Sequence, residues 1–147
     1  MWHLKTGKMK TPDIFYVEDD IDYAFFMQSA VQEVKDTLNL TIVEDGSEAL
    51  LKLQHFVDSK IKPKLILLDL NLPGLSGLDL LKFIRDIPYL KSIPVILFST
   101  SDNPEDVKAA AEFGANAYLT KPSGYDNLVK CVHSVHDFWF NQHLRLN

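Results

Sequence analysis

Five short apolar runs separated by longer stretches of helical spacing restrict the folds open to this chain more than any other feature. The runs are Asp13–Val17, Leu38–Val43, Lys64–Leu70, Ile93–Phe98 and Ala115–Leu119, and their length and β-branched content suit buried strands. After the first run, Phe26, Ala30, Val31 and Val34 recur at steps that share a helix face. Ala49, Leu50, Leu53 and Phe56 follow the second, and Leu78, Leu81 and Ile84 the third. Val107, Ala110, Ala111 and Phe113 follow the fourth, and Leu128, Val132, Val135 and Trp139 the fifth. Ser47, Ser76 and the pair Asn103-Pro104 stand where helix starts are expected. Strict alternation predicts an α/β fold of the (βα)5 kind. Its sheet is parallel and doubly wound, with right-handed crossovers laying helices on both faces.

The chain has 147 residues, 46% of them hydrophobic, enough for one domain with one sizeable core. Residues 1–11 read as a loose lead-in, 12–140 as the domain and 141–147 as a tail. A formal charge of −5 without a basic stripe disfavours nucleic acid as a partner. No apolar run approaches the roughly 18–20 residues needed to cross a bilayer. One cysteine, Cys131, excludes an internal disulfide framework and fits the reducing cytoplasm.

In open sheets of this kind, ligands sit beyond the carboxyl ends of the strands. The residues there are Glu18-Asp19-Asp20, Asp69, Ser99-Thr100 and Lys121-Pro122. Glu18-Asp19-Asp20 alone reads equally well as an acidic loop. With Asp69 ending the third strand beside it, the carboxylates repel one another unless a cation sits among them. Mg²⁺, which commonly takes one or two carboxylates plus waters and phosphate, resolves this. Lys121 is long enough to reach Asp69 from the fifth strand, and Pro122 stiffens the chain behind it. Ser99 offers a hydroxyl to an anionic oxygen, and Asn71, in the turn after Asp69, offers a backbone carbonyl to the metal. A carboxylate nucleophile can form an acyl phosphate. The surrounding charges then neutralise phosphoryl oxygens, which is most of what phosphoryl transfer requires. No GxxxxGK[ST] loop is present, so the phosphoryl donor is expected to be another protein or a small activated phosphate. A hydrolase with an aspartate nucleophile, such as the haloacid-dehalogenase-like enzymes, needs a second carboxylate two residues on as general acid. Asn71 stands there.

These residues occur in segments that match a known family. Tyr16-Val17-Glu18-Asp19-Asp20, Leu65–Gly77 (LILLDLNLPGLSG), Pro94–Thr100 (PVILFST) and Gly114–Pro122 (GANAYLTKP) resemble the receiver domains of two-component response regulators. The likeness covers residues 13 to 137. It implies a CheY-like, flavodoxin-like sheet of strand order 2-1-3-4-5, and phosphorylation of Asp69 by a histidine kinase or phosphotransfer protein. It assigns Glu18, Asp19, Asp69 and the carbonyl of Asn71 to Mg²⁺, Lys121 to the phosphoryl group, and Ser99 and Tyr118 to a hydroxyl–aromatic switch. Such a chain is a phosphoacceptor switch rather than an enzyme acting on a substrate. Two positions depart from the common pattern or vary within it. Ser123 stands where Phe is frequent, and Ser101 with Asn71 is expected to flank the phosphate.

Only 26 residues follow Lys121, so output through a protein contact is expected, with the downstream target a protein. In His133-Ser134-Val135-His136-Asp137-Phe138-Trp139-Phe140, Val135 and Trp139 share a face suited to packing on the sheet. Phe138 and Phe140 point elsewhere and are candidate partner contacts, the alternative being that all three aromatics simply cap the core. The Phe-Trp pair resembles single-domain regulators that serve bacterial phytochrome-type kinases, which implies a homodimer through the last helix. His133 and His136 stand one turn apart, with His143 further on. They read as a solvated face or, alternatively, a metal site, although no carboxylate or cysteine has matching spacing.

Overall fold

The structure, a computed structural model, describes residues 11–142. The lead-in over 1–10 and the tail over 143–147, His143 included, lie outside the described residues. Five strands alternate with five helices: β1 Ile14–Val17, α1 Ile21–Val34, β2 Leu40–Val43, α2 Gly46–Ser59, β3 Leu65–Leu68, α3 Gly77–Asp86, β4 Val95–Ser99, α4 Pro104–Glu112, β5 Ala117–Thr120 and α5 Tyr125–His136. The sheet is parallel with order β2-β1-β3-β4-β5, the doubly wound arrangement expected.

Strand period divides the core in two. Phe15, Val17, Ile66, Leu68, Val95 and Leu97 face α2, α3 and α4, where Leu53, Phe56, Leu81, Ile84 and Ala110 meet them. Ile14, Tyr16, Leu65, Leu67, Ile96 and Phe98 face α1 and α5, against Met27, Ala30, Val31, Leu128 and Val132. Because the central strands are buried on both faces, they read as unbroken apolar runs rather than alternating ones.

Register fixes where the site falls. Val17 pairs with Leu68, so Glu18 and Asp69 emerge side by side, and the Asp69 N–H extends the ladder to the Val17 carbonyl at 3.1 Å. Ser99 pairs with Thr120, which puts Lys121 next to the end of β4.

Several local expectations shift. Phe26 is 46% exposed, because α1 turns Ala24 and Met27 inward instead. Val107, Ala111 and Phe113 also lie at the surface, leaving Ala110 as the one fully buried residue of α4. Helix α2 begins at Gly46 with Asp45 as its cap, accepting the Glu48 N–H at 2.7 Å, so Ser47 sits inside the first turn. Ser76 and Asn103 cap α3 and α4 as expected, and Ser76 forms a capping box with Asp79. Beyond His136 the backbone widens into a π-helical turn over Asp137–Gln142. Trp139 packs into the α1–α5 side of the core and Phe138 is 52% exposed, as expected. Phe140 differs from expectation. The wider turn brings it onto the same core and stacks its ring on His136 at 5.3 Å.

Candidate phosphoacceptor site

Glu18, Asp69 and Ser99 are the buried polar and charged residues among those described, and all three lie at carboxyl ends of strands. Neighbouring backbone serves each of them. Asp69 Oδ1 accepts the Asn71 N–H (3.2 Å), Glu18 Oε2 accepts the Asp20 N–H (3.1 Å), and Ser99 Oγ accepts the Ser101 N–H (3.1 Å). Asp20, the remaining acid of the first loop, caps α1 through the N–H groups of Asp22 and Tyr23. That work turns it away from the other carboxylates.

Lys121 closes the site. Its side chain is 7% exposed, and Nζ lies 2.6 Å from Glu18 Oε1 and 3.1 Å from Asp69 Oδ2. Burial alone would push the ammonium pKa down, but Glu18 and Asp69 outweigh it and hold Lys121 above its ordinary value. Burial raises Glu18, against the opposing bonds from Lys121 and Tyr16. The reach to Asp69 was expected, whereas the shorter pairing with Glu18 was not.

Oxygen atoms of Glu18, Asp19 and Asp69 all lie within 4.8 Å of one another. Opposite oxygens around an octahedral magnesium ion sit about 4 Å apart. The cluster is therefore of a size for a hard divalent ion, which these three carboxylates would hold. Asn71 contributes its amide to Asp69 in this structure.

Two tyrosines complete the surroundings, and sequence reasoning passed over both. Tyr16, fully buried on β1, donates its hydroxyl to Glu18 Oε1 at 2.6 Å. Burial and the adjacent Glu18 charge push its pKa far up. Tyr23 lies under Lys121, with Nζ 4.8 Å from the ring centre, and donates to the Pro122 carbonyl at 3.1 Å. Burial pushes Tyr23 up to about 12. Tyr16 had a legible signal, since residues two apart on a strand share a face. Tyr23 had none, because it acts across the gap between α1 and the loop after β5.

The Ser99–Tyr118 pair is linked through backbone. Tyr118 donates to the Ser101 carbonyl (2.8 Å), the residue whose N–H bonds Ser99. Ser101 was expected to flank the phosphate. In this structure its hydroxyl donates to Asp106 (2.7 Å) and accepts the Asn103 N–H, which binds the loop to the first turn of α4. Ser99 is at the site but its hydroxyl is not bonded to Asp69. Ser123 borders a hollow of about 540 Å³, walled also by Tyr23, Phe26, Lys121 and Tyr125.

A parallel 2-1-3-4-5 sheet carrying an acid pair, a central aspartate, a hydroxyl and a lysine at its carboxyl edge defines a phosphoaccepting signalling domain. The chain belongs to the response regulator receiver domain family, which matches residues 14–133. It is 38% identical over 128 residues to response regulator Rcp1 of Synechocystis, covering 86% of this chain and 87% of that one. The phosphorylated cyanobacterial phytochrome response regulator RcpA superposes with a TM-score of 0.84 at 32% identity, over 94% of this chain and all of the other. The Mn²⁺-bound form of Rcp1 gives 0.76 at 36%, over 92% of this chain and 100% of that one. The chain is thus a receiver in phosphorelay signal transduction and not an enzyme of the usual kind, with an acidic cluster suited to a divalent metal. Among the described residues, no helix is long and apolar enough to cross a membrane.

Proposed function

We propose that Asp69 is the phosphoacceptor and that a histidine kinase or phosphotransfer protein is its donor. The observation that carries this reading is the environment of Asp69. Its buried carboxylate touches the Lys121 ammonium at 3.1 Å and stands within metal-sharing distance of Glu18 and Asp19. An Asp69 oxygen attacks phosphorus, the bond to the donor's imidazole nitrogen breaks, and the freed imidazole takes up a proton. Glu18, Asp19 and Asp69, with the Asn71 carbonyl, are the residues that would hold Mg²⁺, which supplies neutralising charge to phosphoryl oxygens. Lys121 holds one phosphoryl oxygen, so its ion pairs to Glu18 and Asp69 must rearrange. Ser99 turns its hydroxyl to another. Its partner Ser101 carries the bond to Tyr118, so moving Ser99 biases the position of that ring. Turnover is confined to the chain's own phosphoryl group.

Phe26 and Tyr125 wall the Lys121 hollow and pack on each other, and Phe25, 67% exposed, packs on Phe26 to extend an apolar rim, with the exposed Ile21 one helical turn before it. This rim suits an apolar helical surface on the phosphodonor. The Rcp1 and RcpA likeness supports a phytochrome-type kinase as that donor. We place the receiver unit at 12–140 and the protein in the cytoplasm. A groove of about 610 Å³ along β5 and α5, lined by Ile96, Ala117, Leu119, Val135, Phe138 and Trp139, suits a homodimer.

Incubation with Mg²⁺ and acetyl phosphate, followed by intact mass measurement, tests the acceptor. One phosphoryl group is expected on the wild type, labile in base and absent from Asp69→Asn. A wild type that takes label from neither acetyl phosphate nor a cognate kinase overturns the assignment.

A further inference from the structure

Tyr16 occupies a position that packing alone would fill with an aliphatic residue. Its neighbours on the same sheet face are Ile14, Leu65, Leu67, Ile96 and Phe98, and in register it pairs with Leu67. Burying a phenol there costs stability unless the hydroxyl is bonded. The ring is held edge-on to Phe98, with centroids 6.4 Å apart, and Phe98 in turn packs edge-on to Tyr23. Locked in this way, Tyr16 points along β1 toward the strand end and places its hydroxyl 2.6 Å from Glu18 Oε1.

Glu18 therefore has three donors. Tyr16 and Lys121 share Oε1, each at 2.6 Å, and the Asp20 N–H holds Oε2 at 3.1 Å. A glutamate has one more rotatable bond than an aspartate, so a buried glutamate needs its carboxylate fixed if it is to serve a site. Of the two side-chain donors, Lys121 competes with a metal for the same charge, and Tyr16 is neutral. Losing the phenol hydroxyl leaves Lys121 as the sole side-chain partner, so no neutral donor fixes the rotation of the carboxylate once a metal draws on the same charge.

We propose that Tyr16 is a positioning residue for the divalent-metal site, fixing the orientation of the Glu18 carboxylate through its hydroxyl. The proposal rests on the reading of Glu18 as a metal ligand. Hydrogen-bonded partners of ligating carboxylates typically change metal affinity by about 10- to 100-fold when removed.

Isothermal titration of the full chain with Mg²⁺, and Mn²⁺ binding followed by electron paramagnetic resonance, test it. The set is wild type, Tyr16→Phe, Glu18→Gln and the double variant. Tyr16→Phe is expected to weaken both ions by about tenfold or more and to raise by the same factor the Mg²⁺ concentration that half-saturates labelling by acetyl phosphate. The labelling rate at saturating Mg²⁺ should change far less. In the Glu18→Gln background the same substitution should leave affinity within about twofold, because the hydroxyl acts only through Glu18. A purely structural tyrosine would lower thermal stability with metal affinity unchanged, and that outcome overturns the proposal. An equal loss in both backgrounds overturns it too. Should Tyr16→Phe fail to fold, Tyr16→Leu, the residue type of its β3 neighbour, is expected to give the same loss. A wild type that binds neither ion sinks the metal-site reading itself, which separates that failure from this one.

Discussion

Lys121 stands between two carboxylates that share one buried corner, and its ammonium allows both to stay there. Removing one partner of a buried ion pair leaves uncompensated charge, which typically costs about 3 kcal/mol or more. Lys121→Met is therefore expected to lose roughly 3 kcal/mol in denaturant unfolding at neutral pH with chelator present. The sign of the pH dependence follows from Glu18, whose carboxyl burial already holds above its ordinary value of 4.5. Without the lysine, lowering the pH through that raised value protonates Glu18 and relieves the charge, so the deficit narrows in acid. A deficit that widens in acid would contradict the role given to Lys121. Asp69, Glu18, Asp19, Ser99 and Lys121 were all legible in the sequence, because strand ends are where short apolar runs stop. The bonds among them were not. Whether Lys121 prefers Glu18 or Asp69, or Ser101 turns to Asp106 rather than inward, depends on angstrom-scale geometry that spacing does not encode.

The loop after β3 must return tightly to α3 so that Asp69 stays in place. Gly77 makes this possible, since a Cβ there would run into the Asp69 carbonyl, while its own N–H bonds the Leu70 carbonyl at 3.0 Å. Ser76 and Asp79 then close the capping box that starts the helix. Ser76→Ala is expected to cost about 1 kcal/mol in unfolding experiments. The bonds from Ser76 hold Asp79 below its ordinary value of 3.8. A depressed carboxylate contributes stability that is present above its unfolded pKa and lost as the pH falls through the folded one. Asp79→Asn should therefore be less stable than wild type at neutral pH, and the gap should close in strong acid. A gap that persists at low pH would count against the charge-assisted cap. This cap was legible, for a serine before a glycine opens the apolar pattern. Which face of α4 is buried was not, because Ala109, Ala110 and Ala111 give no contrast between its faces and Phe113 at its end is covered from outside by Lys82 at 4.3 Å. The clip at the opposite end of the sheet also left no trace. There Arg85 bonds the Gly114, Lys91 and Ile93 carbonyls and the Asn116 side chain, joining elements far apart in sequence.

For the whole molecule, the sheet divides labour between its faces and its edge. Tyr118 packs on the α2–α3–α4 side, while Ala117 and Leu119 of the same strand face α5. Hydrogen bonds run from Ser99 through Ser101 to Tyr118, so on the proposed switch a change at the site is expected to reach β5 and with it the groove between β5 and α5. Phe138, on the π-helical turn at the rim of that groove, is 52% exposed, whereas Trp139 beside it is buried. If two chains pair there, a charge at this position has to be desolvated in the dimer but not in the monomer, so it opposes association without touching the phosphoacceptor. Phe138→Glu is accordingly expected to weaken self-association by about tenfold or more, with labelling of Asp69 by acetyl phosphate unchanged. Light-scattering mass of wild type and variant, each before and after beryllofluoride, reads the first quantity, and intact mass reads the second. A wild type that stays monomeric in both states removes the homodimer reading. A variant that dimerises as well as wild type moves the interface away from α5, with the exposed apolar rim of α1 as the next surface to test.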